Sequence, residues 1–406
     1  MSRNWLHMSV VFFVLAFVSH AKAQPYLLAF SCPTTTDNNY SAFVANLANV
    51  DGCVHFIQWS DIETSRGSYQ WGALDSSQFF TPYVGKTCGG NLRTAHKCYI
   101  VPVIFLVSND GNNTATPSYV YGSGWATHLG VPPLDYAYCA GYQGDQPPGT
   151  SGTGNSGDST TFPAVWETPF QVASQNFIAA LISHLNNLTT GIGPQILYVR
   201  IGYTGGGEAF PSCEPQLETI AGVSSPQALF QGVFVDGYTT EAQFIHNQTP
   251  KMQMEMSVNC GNNLSWCQYN SLPESGDLET YGLGIGNQGL QASDGTAIQN
   301  GQETSNGWYA DYTTNPNTHW REMQTLQQSC PSGTPSSRCT LKRETTTGSL
   351  TDMFPFLTQH ANLNSLEVYL GDILCTYDSS YNAAPGTPTY ADCQNAGYRA
   401  AFKNYF

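Results

Sequence analysis

Eight short β-prone runs punctuate this chain, and their number and spacing restrict its fold more than any other feature. They are Tyr26 to Phe30, Val54 to Trp59, Tyr99 to Val107, Ile196 to Ile201, Met252 to Val258, Tyr281 to Gly286, His319 to Thr325 and Leu366 to Leu370. Several are near-continuous apolar runs rather than alternating ones, the pattern of strands covered on both faces. Between them, Asn39 to Ala48, Phe170 to Asn186 and Ser225 to Ile245 have the spacing of helices. Strand and helix alternation along most of a 406-residue chain predicts an α/β fold, one (β/α)8 TIM barrel with long βα loops stabilised by disulfides. A doubly wound open sheet is the rival architecture.

The ends and one internal stretch stand apart from this alternation. Residues 1–23 combine Arg3, an apolar run from Val10 to Val18 and small residues at Ala21 and Ala23, the make-up of a secretory signal peptide cut before Gln24. The barrel is then expected over 24–406 as a single unit. The stretch around 141–160 is rich in Gly, Ser, Thr, Pro and Asp, too polar to supply a core. It is expected to be an exposed insertion in the third βα unit.

Composition narrows the partners. Lys plus Arg number 14 against 29 Asp plus Glu, a formal charge of −15, which opposes any grip on a phosphate backbone, so nucleic acid is excluded. No stretch after the leader is apolar enough to insert in a membrane. Twelve cysteines, all beyond residue 23, suggest up to six disulfides, with Cys88 to Cys98, Cys260 to Cys267 and Cys330 to Cys339 as the local loops. Scattered histidines and the absence of paired CxxC argue against zinc. A secreted, extracellular or cell-wall location follows, with sequons at Asn39, Asn112, Asn187, Asn247 and Asn263 as glycan acceptors in a eukaryotic cell. The chain is expected to act as a monomer.

In a barrel of this kind, reacting groups gather where the βα loops meet, at the carboxyl ends of the strands. Two segments place acids there. In ILYVRIGYTGGGEAFPSCEP, a strand is followed by Gly205, Gly206 and Gly207, a sharp turn that leaves Glu208 at the strand exit. In THWREMQTLQQ, Glu322 lies in the seventh expected strand. Two carboxyl groups facing each other across one mouth can cleave a glycosidic bond: one, protonated, assists the leaving oxygen, and the other, ionised, attacks or activates water. Bland readings compete with this one: Glu208 as a solvated loop acid beside glycines, and Glu322 as a partner of Arg321.

The eight-element order and these segments resemble the large clan of retaining glycoside hydrolases built on (β/α)8 barrels. That resemblance implies an acid/base at Glu208, on the fourth strand exit, and a nucleophile at Glu322, on the seventh. The stretch FIQWSDIETSRGSYQWGALD, with Trp59, Glu63, Gly67, Tyr69, Trp71 and Asp75, looks like the second-strand region of several clan members. One departure is plain. Many members carry Asn immediately before the fourth-strand acid, whereas this chain has Gly207, which removes a side-chain hydrogen bond to a sugar hydroxyl.

Around the two acids, Trp59, Trp308 and Trp320 are candidate sugar platforms, with packing as the competing role. Tyr203, Asn259, Tyr269, Asn287 and Gln324 could meet sugar hydroxyls, and Glu63 is a candidate substrate contact. Arg200 would hold Glu322 ionised or pair with Glu255. Glu255, Glu367 and Asp372 are expected to orient Arg, Tyr or sugar hydroxyls, or to form internal salt bridges. Neither glycine-rich stretch, TGGGE or GIGNQG, completes a nucleotide-binding loop, and no GxSxG is present. The function expected is therefore a glycoside hydrolase acting on a poly- or oligosaccharide, with no cofactor or metal. The alternative is a carbohydrate-binding or cell-wall structural protein on the same barrel.

Overall fold

The computed structural model describes residues 24–107, 115–140, 159–203, 213–225, 235–257, 280–290, 320–325, 362–378 and 396–406, with a few isolated positions between them. Eight parallel strands close into a barrel: Tyr26–Phe30, Gly52–Gln58, Tyr99–Phe105, Tyr198–Gly202, Gln253–Ser257, Gly284–Leu290, Arg321–Thr325 and Ser365–Tyr369. Each pairs with its sequence neighbours, and the eighth closes on the first through Tyr26↔Ser365 to Phe30↔Tyr369. All eight expected strands are present, and the closure rules out the open-sheet rival.

Alternation along each strand divides the side chains into two layers. Leu28, Val54, Val101, Val103, Phe105 and Tyr198 form an interior cluster. Their neighbours Leu27, Ala29, Cys53, Ile100, Ile104, Val199 and Ile201 face the surrounding layer. The helix Thr168–Asn187 supplies much of that outer layer. Phe170, Ala173, Phe177, Ile178, Leu181, Ile182 and Leu185 recur at helical spacing and are all buried. A Cβ on Gly52 would lie 2.1 Å from the Tyr99 carbonyl oxygen, so only glycine lets strands two and three start this close together.

The first expected helix is shorter than its pattern. It runs Tyr40–Ala45 and passes into a 3-10 turn, Leu47–Asn49, because the Asn46 side chain turns back to donate to the Ala42 carbonyl at 2.9 Å. The third expected helical interval holds the helix Val235–Asn247. Two antiparallel strands, Tyr136–Ala140 and Ser159–Pro163, flank the low-complexity stretch and lie between barrel strands three and four, in the third βα unit as expected. The leader at 1–23 lies outside the described residues.

Disulfides join Cys88 to Cys98, as the local spacing predicts, and Cys32 to Cys53; Cys213 is also disulfide-bonded. The pairs expected at Cys260 to Cys267 and Cys330 to Cys339 lie outside the described residues.

Candidate active site

The barrel interior is chemically two-sided. Near the carboxyl ends of strands eight, one, two and three, the rings of Tyr369, Phe30, Phe56 and Phe105 touch in series, with centroids 4.8, 5.0 and 4.8 Å apart. Strands four, five, seven and eight carry Arg200, Glu255, Glu322, Gln324 and Glu367, all buried. The sequence reading missed the aromatic series; its signal was the inward phase of each strand, since Phe30 lies two residues beyond Leu28 and Phe105 two beyond Val103.

Arg200 organises the polar side. Its Nε donates to Glu255 Oε1 at 2.6 Å, and one terminal nitrogen meets Glu322 Oε2 at 2.8 Å and Glu367 Oε1 at 2.6 Å. Tyr198 donates its hydroxyl to the same Glu367 oxygen at 2.5 Å. Arg200 thus contacts both acids weighed for it, Glu322 and Glu255, and Glu255 and Glu367 fix its orientation. Burial works against the arginine's charge, but Glu322, Glu367 and Glu255 outweigh it and raise its pKa well above the ordinary value. Three carboxyl groups around one guanidinium leave excess negative charge away from water. The Glu255 carboxyl is accordingly pushed up, first by burial and further by Glu367, with Arg200 opposing.

Gly286 makes this convergence possible. A Cβ there would lie 2.2 Å from Glu255 Oε1 and 2.8 Å from Glu322 Oε2, so a side chain on the sixth strand would occupy the space the two carboxylates share. Among the described residues, Glu255 Oε2, Glu367 Oε2, Gln324 Oε1 and Ser365 Oγ are buried without a hydrogen-bond partner. The interior therefore retains hydrogen-bonding capacity beyond what its own side chains consume.

Gln324 follows Glu322 on the same face, one step nearer the mouth. Asn287 lies in the sixth strand in register with Met323. Asp372 is buried in the helix Leu370–Tyr377 that follows the eighth strand. Glu208, Asn259, Tyr269 and Trp308 lie outside the described residues.

Four expected substrate contacts prove to be structural. Trp59 is fully buried, stacked on Phe177 at 5.4 Å with its ring edge-on to Phe170, so no face is left for a sugar. Glu63 is buried too: it accepts bonds from Trp59 Nε1 and the Gly67 amide, each at 2.7 Å, and from the Tyr119 hydroxyl at 3.2 Å, which ties down the loop after strand two. Trp320 lies two residues before Glu322, at the amino end of its strand. There it stacks on Tyr26 and meets Tyr198, at the opposite end of the barrel from the mouth. Tyr203 is fully buried and points into the outer layer, edge-on against Phe170. Alternation decides the last two: one residue's change of phase or two residues' change of height moves a side chain out of the mouth.

No family profile and no curated protein matches the chain. Solved structures with a similar course include a psychrophilic glycoside hydrolase family 10 endo-β-1,4-xylanase, at TM-score 0.48 and 10% identity over 94% of this chain and 96% of that one. Another is a GH10 endoxylanase retrieved from sugarcane soil metagenome, at TM-score 0.43 and 13% identity over 85% and 84%. The intracellular xylanase of Thermoanaerobacterium saccharolyticum is a third, at 0.45 and 9% identity over 86% of each chain. These likenesses assign no residue, and the barrel rests on its own strand pairing.

Proposed function

We propose that this chain is a secreted retaining glycoside hydrolase acting on a poly- or oligosaccharide. The observation that carries the reading is the bond between Arg200 and Glu322. It holds a carboxylate of the seventh strand inside the barrel, fixed by a cation of the fourth strand, whose exit loop carries Glu208 six positions past Gly202. A guanidinium at 2.8 Å favours the ionised carboxylate that a nucleophile requires.

In the first half-reaction, Glu322 attacks the anomeric carbon, the glycosidic C–O bond breaks, and Glu208 gives its proton to the departing oxygen. In the second, Glu208 takes a proton from water, the water oxygen attacks the anomeric carbon, and the bond to Glu322 breaks. Water is the only co-reactant. The series Tyr369, Phe30, Phe56 and Phe105 offers an apolar wall for the C–H faces of a sugar, and Gln324 an amide for its hydroxyls. Secretion is supported by the leader-like residues 1–23 and by the disulfides, which persist in oxidising compartments.

One observation favours the binding-only alternative: Glu322 is fully enclosed and spends an oxygen on Arg200, as a structural ion pair would. Reducing-sugar release from a panel of glycans by the wild type, Glu208→Gln and Glu322→Gln separates the two. Each variant is expected to stay folded and lose roughly 10²-fold or more of turnover. Preserved turnover in either variant rejects that residue's role, and a wild type that binds glycans without cleaving any leaves the binding protein.

A further inference from the structure

Among the described residues, three large apolar or aromatic side chains are markedly exposed: Val84, Tyr136 at 52% and Tyr138 at 59%. The two tyrosines share one strand of the hairpin that flanks the low-complexity stretch. Being two positions apart, they project from the same face, about 7 Å from each other. The other face is anchored: Ala137 and Phe162, paired across the hairpin, are both buried in the core. The Tyr136 ring meets Tyr121 edge-on at 5.5 Å and 90°, which fixes its orientation. Cross-strand neighbours Pro163 and Thr161 are small. Strand propensity explains tyrosine in a strand, but it does not require two rings turned to water on the same side.

The position of the hairpin ties it to the candidate site. Its first strand packs against the helix Glu214–Ala221, the first described helix after the loop that carries Glu208. We infer that Tyr136 and Tyr138 form an accessory platform that binds an extended neutral polysaccharide beside the barrel mouth. The inference deepens the hydrolase reading by naming a polymer as its substrate class. Tyrosine faces stack on the C–H faces of sugars while their hydroxyls stay wet. Two rings at this spacing exceed the reach of a single sugar ring and are engaged together by adjacent sugars of one chain. Charge selects the class: exposed Asp135, whose amide donates to Glu167, flanks the strip, and the chain's formal charge of −15 repels acidic polymers.

Affinity electrophoresis of the full chain tests this, in gels containing soluble mixed-linkage β-glucan, arabinoxylan, galactomannan or polygalacturonate. The wild type is expected to be retarded by at least one of the three neutral polymers and not by polygalacturonate. Tyr136→Thr/Tyr138→Thr, which keeps strand propensity and removes both rings, is expected to bind that polymer about tenfold more weakly. Tyr136→Phe/Tyr138→Phe, which keeps the rings, is expected to bind like the wild type and controls for a variant that loses its fold in a thermal melt. Glu322→Gln is expected to be retarded as strongly as the wild type while losing turnover. Retardation that depends on the two rings in a chain with no turnover keeps the platform and removes the hydrolase. Equal binding by the threonine variant, a wild type retarded by no neutral polymer, or a strip found to hold a second copy of the chain by size-exclusion chromatography overturns the platform.

Discussion

Arg200 and Glu322 stand 122 positions apart in the chain, on barrel strands four and seven, and meet at 2.8 Å with neither side chain reached by solvent. The same guanidinium serves Glu255 and Glu367, so three carboxyl groups depend on one cation. Arg200→Met is therefore expected to be much less stable at pH 7, by about 3–5 kcal/mol in urea unfolding, because it strands buried carboxylates rather than merely deleting bonds. The deficit should shrink at pH 5, where the Glu255 carboxyl, pushed up to about 7 by burial, is protonated. An equal deficit at both values would mean that the cluster's charge is not what Arg200 balances.

Gly286 lets Glu255 and Glu322 approach over the sixth strand. Gly286→Ala would put a methyl group 2.2 Å from one carboxylate oxygen and 2.8 Å from the other, displacing both from Arg200. A loss of about 1–3 kcal/mol is expected from the overpacking, together with reduced turnover. Wild-type stability in this variant would show that the two acids lie elsewhere.

Glu241 is fully buried between helices and barrel, where it accepts the Ser174 hydroxyl at 2.5 Å. Burial pushes its carboxyl up from 4.5 to about 7, against the opposing bond from Ser174. The folded state therefore holds this proton more tightly than the unfolded chain does. The associated stability is complete below pH 4.5 and is lost as pH rises through about 7, a change of at most roughly 3 kcal/mol. Melting temperature should fall between pH 5 and 8, and Glu241→Gln should flatten that fall. Parallel curves for variant and wild type would assign the slope to another group.

The disulfides close loops of 10 and 21 residues, Cys88 to Cys98 and Cys32 to Cys53. Each constrains the unfolded chain, so Cys88→Ser/Cys98→Ser and Cys32→Ser/Cys53→Ser are each expected to cost roughly 2–4 kcal/mol by chemical denaturation. A reduced wild type as stable as the oxidised one would contradict this.

The barrel was legible because its signal is local. A parallel strand buried on both faces reads as a largely apolar run, as Tyr26 to Phe30 does, and all eight runs hold a barrel strand, although the sixth, expected at Tyr281 to Gly286, runs Gly284–Leu290. The buried cluster was half legible. Arg200 and Glu322 could be picked out as unusual charges within apolar strands, but that one guanidinium would gather Glu255 and Glu367 as well follows from closure of the barrel. Trp59, Glu63, Tyr203 and Trp320 were misread for one shared reason: residue type does not say which way a side chain points or how high on its strand it stands.

What the amino-acid order determined by itself is the succession of strands, the excess of acid over base and the cysteines available for bridging, all properties of short segments or simple sums. What only the tertiary structure decided is which side chains share the interior. Strands four, five, seven and eight place their charges within hydrogen-bonding distance of Arg200, and strands eight, one, two and three line up their aromatic rings opposite. Register and closure set those meetings, since a shift of one residue in any strand turns its inward groups out toward the helices.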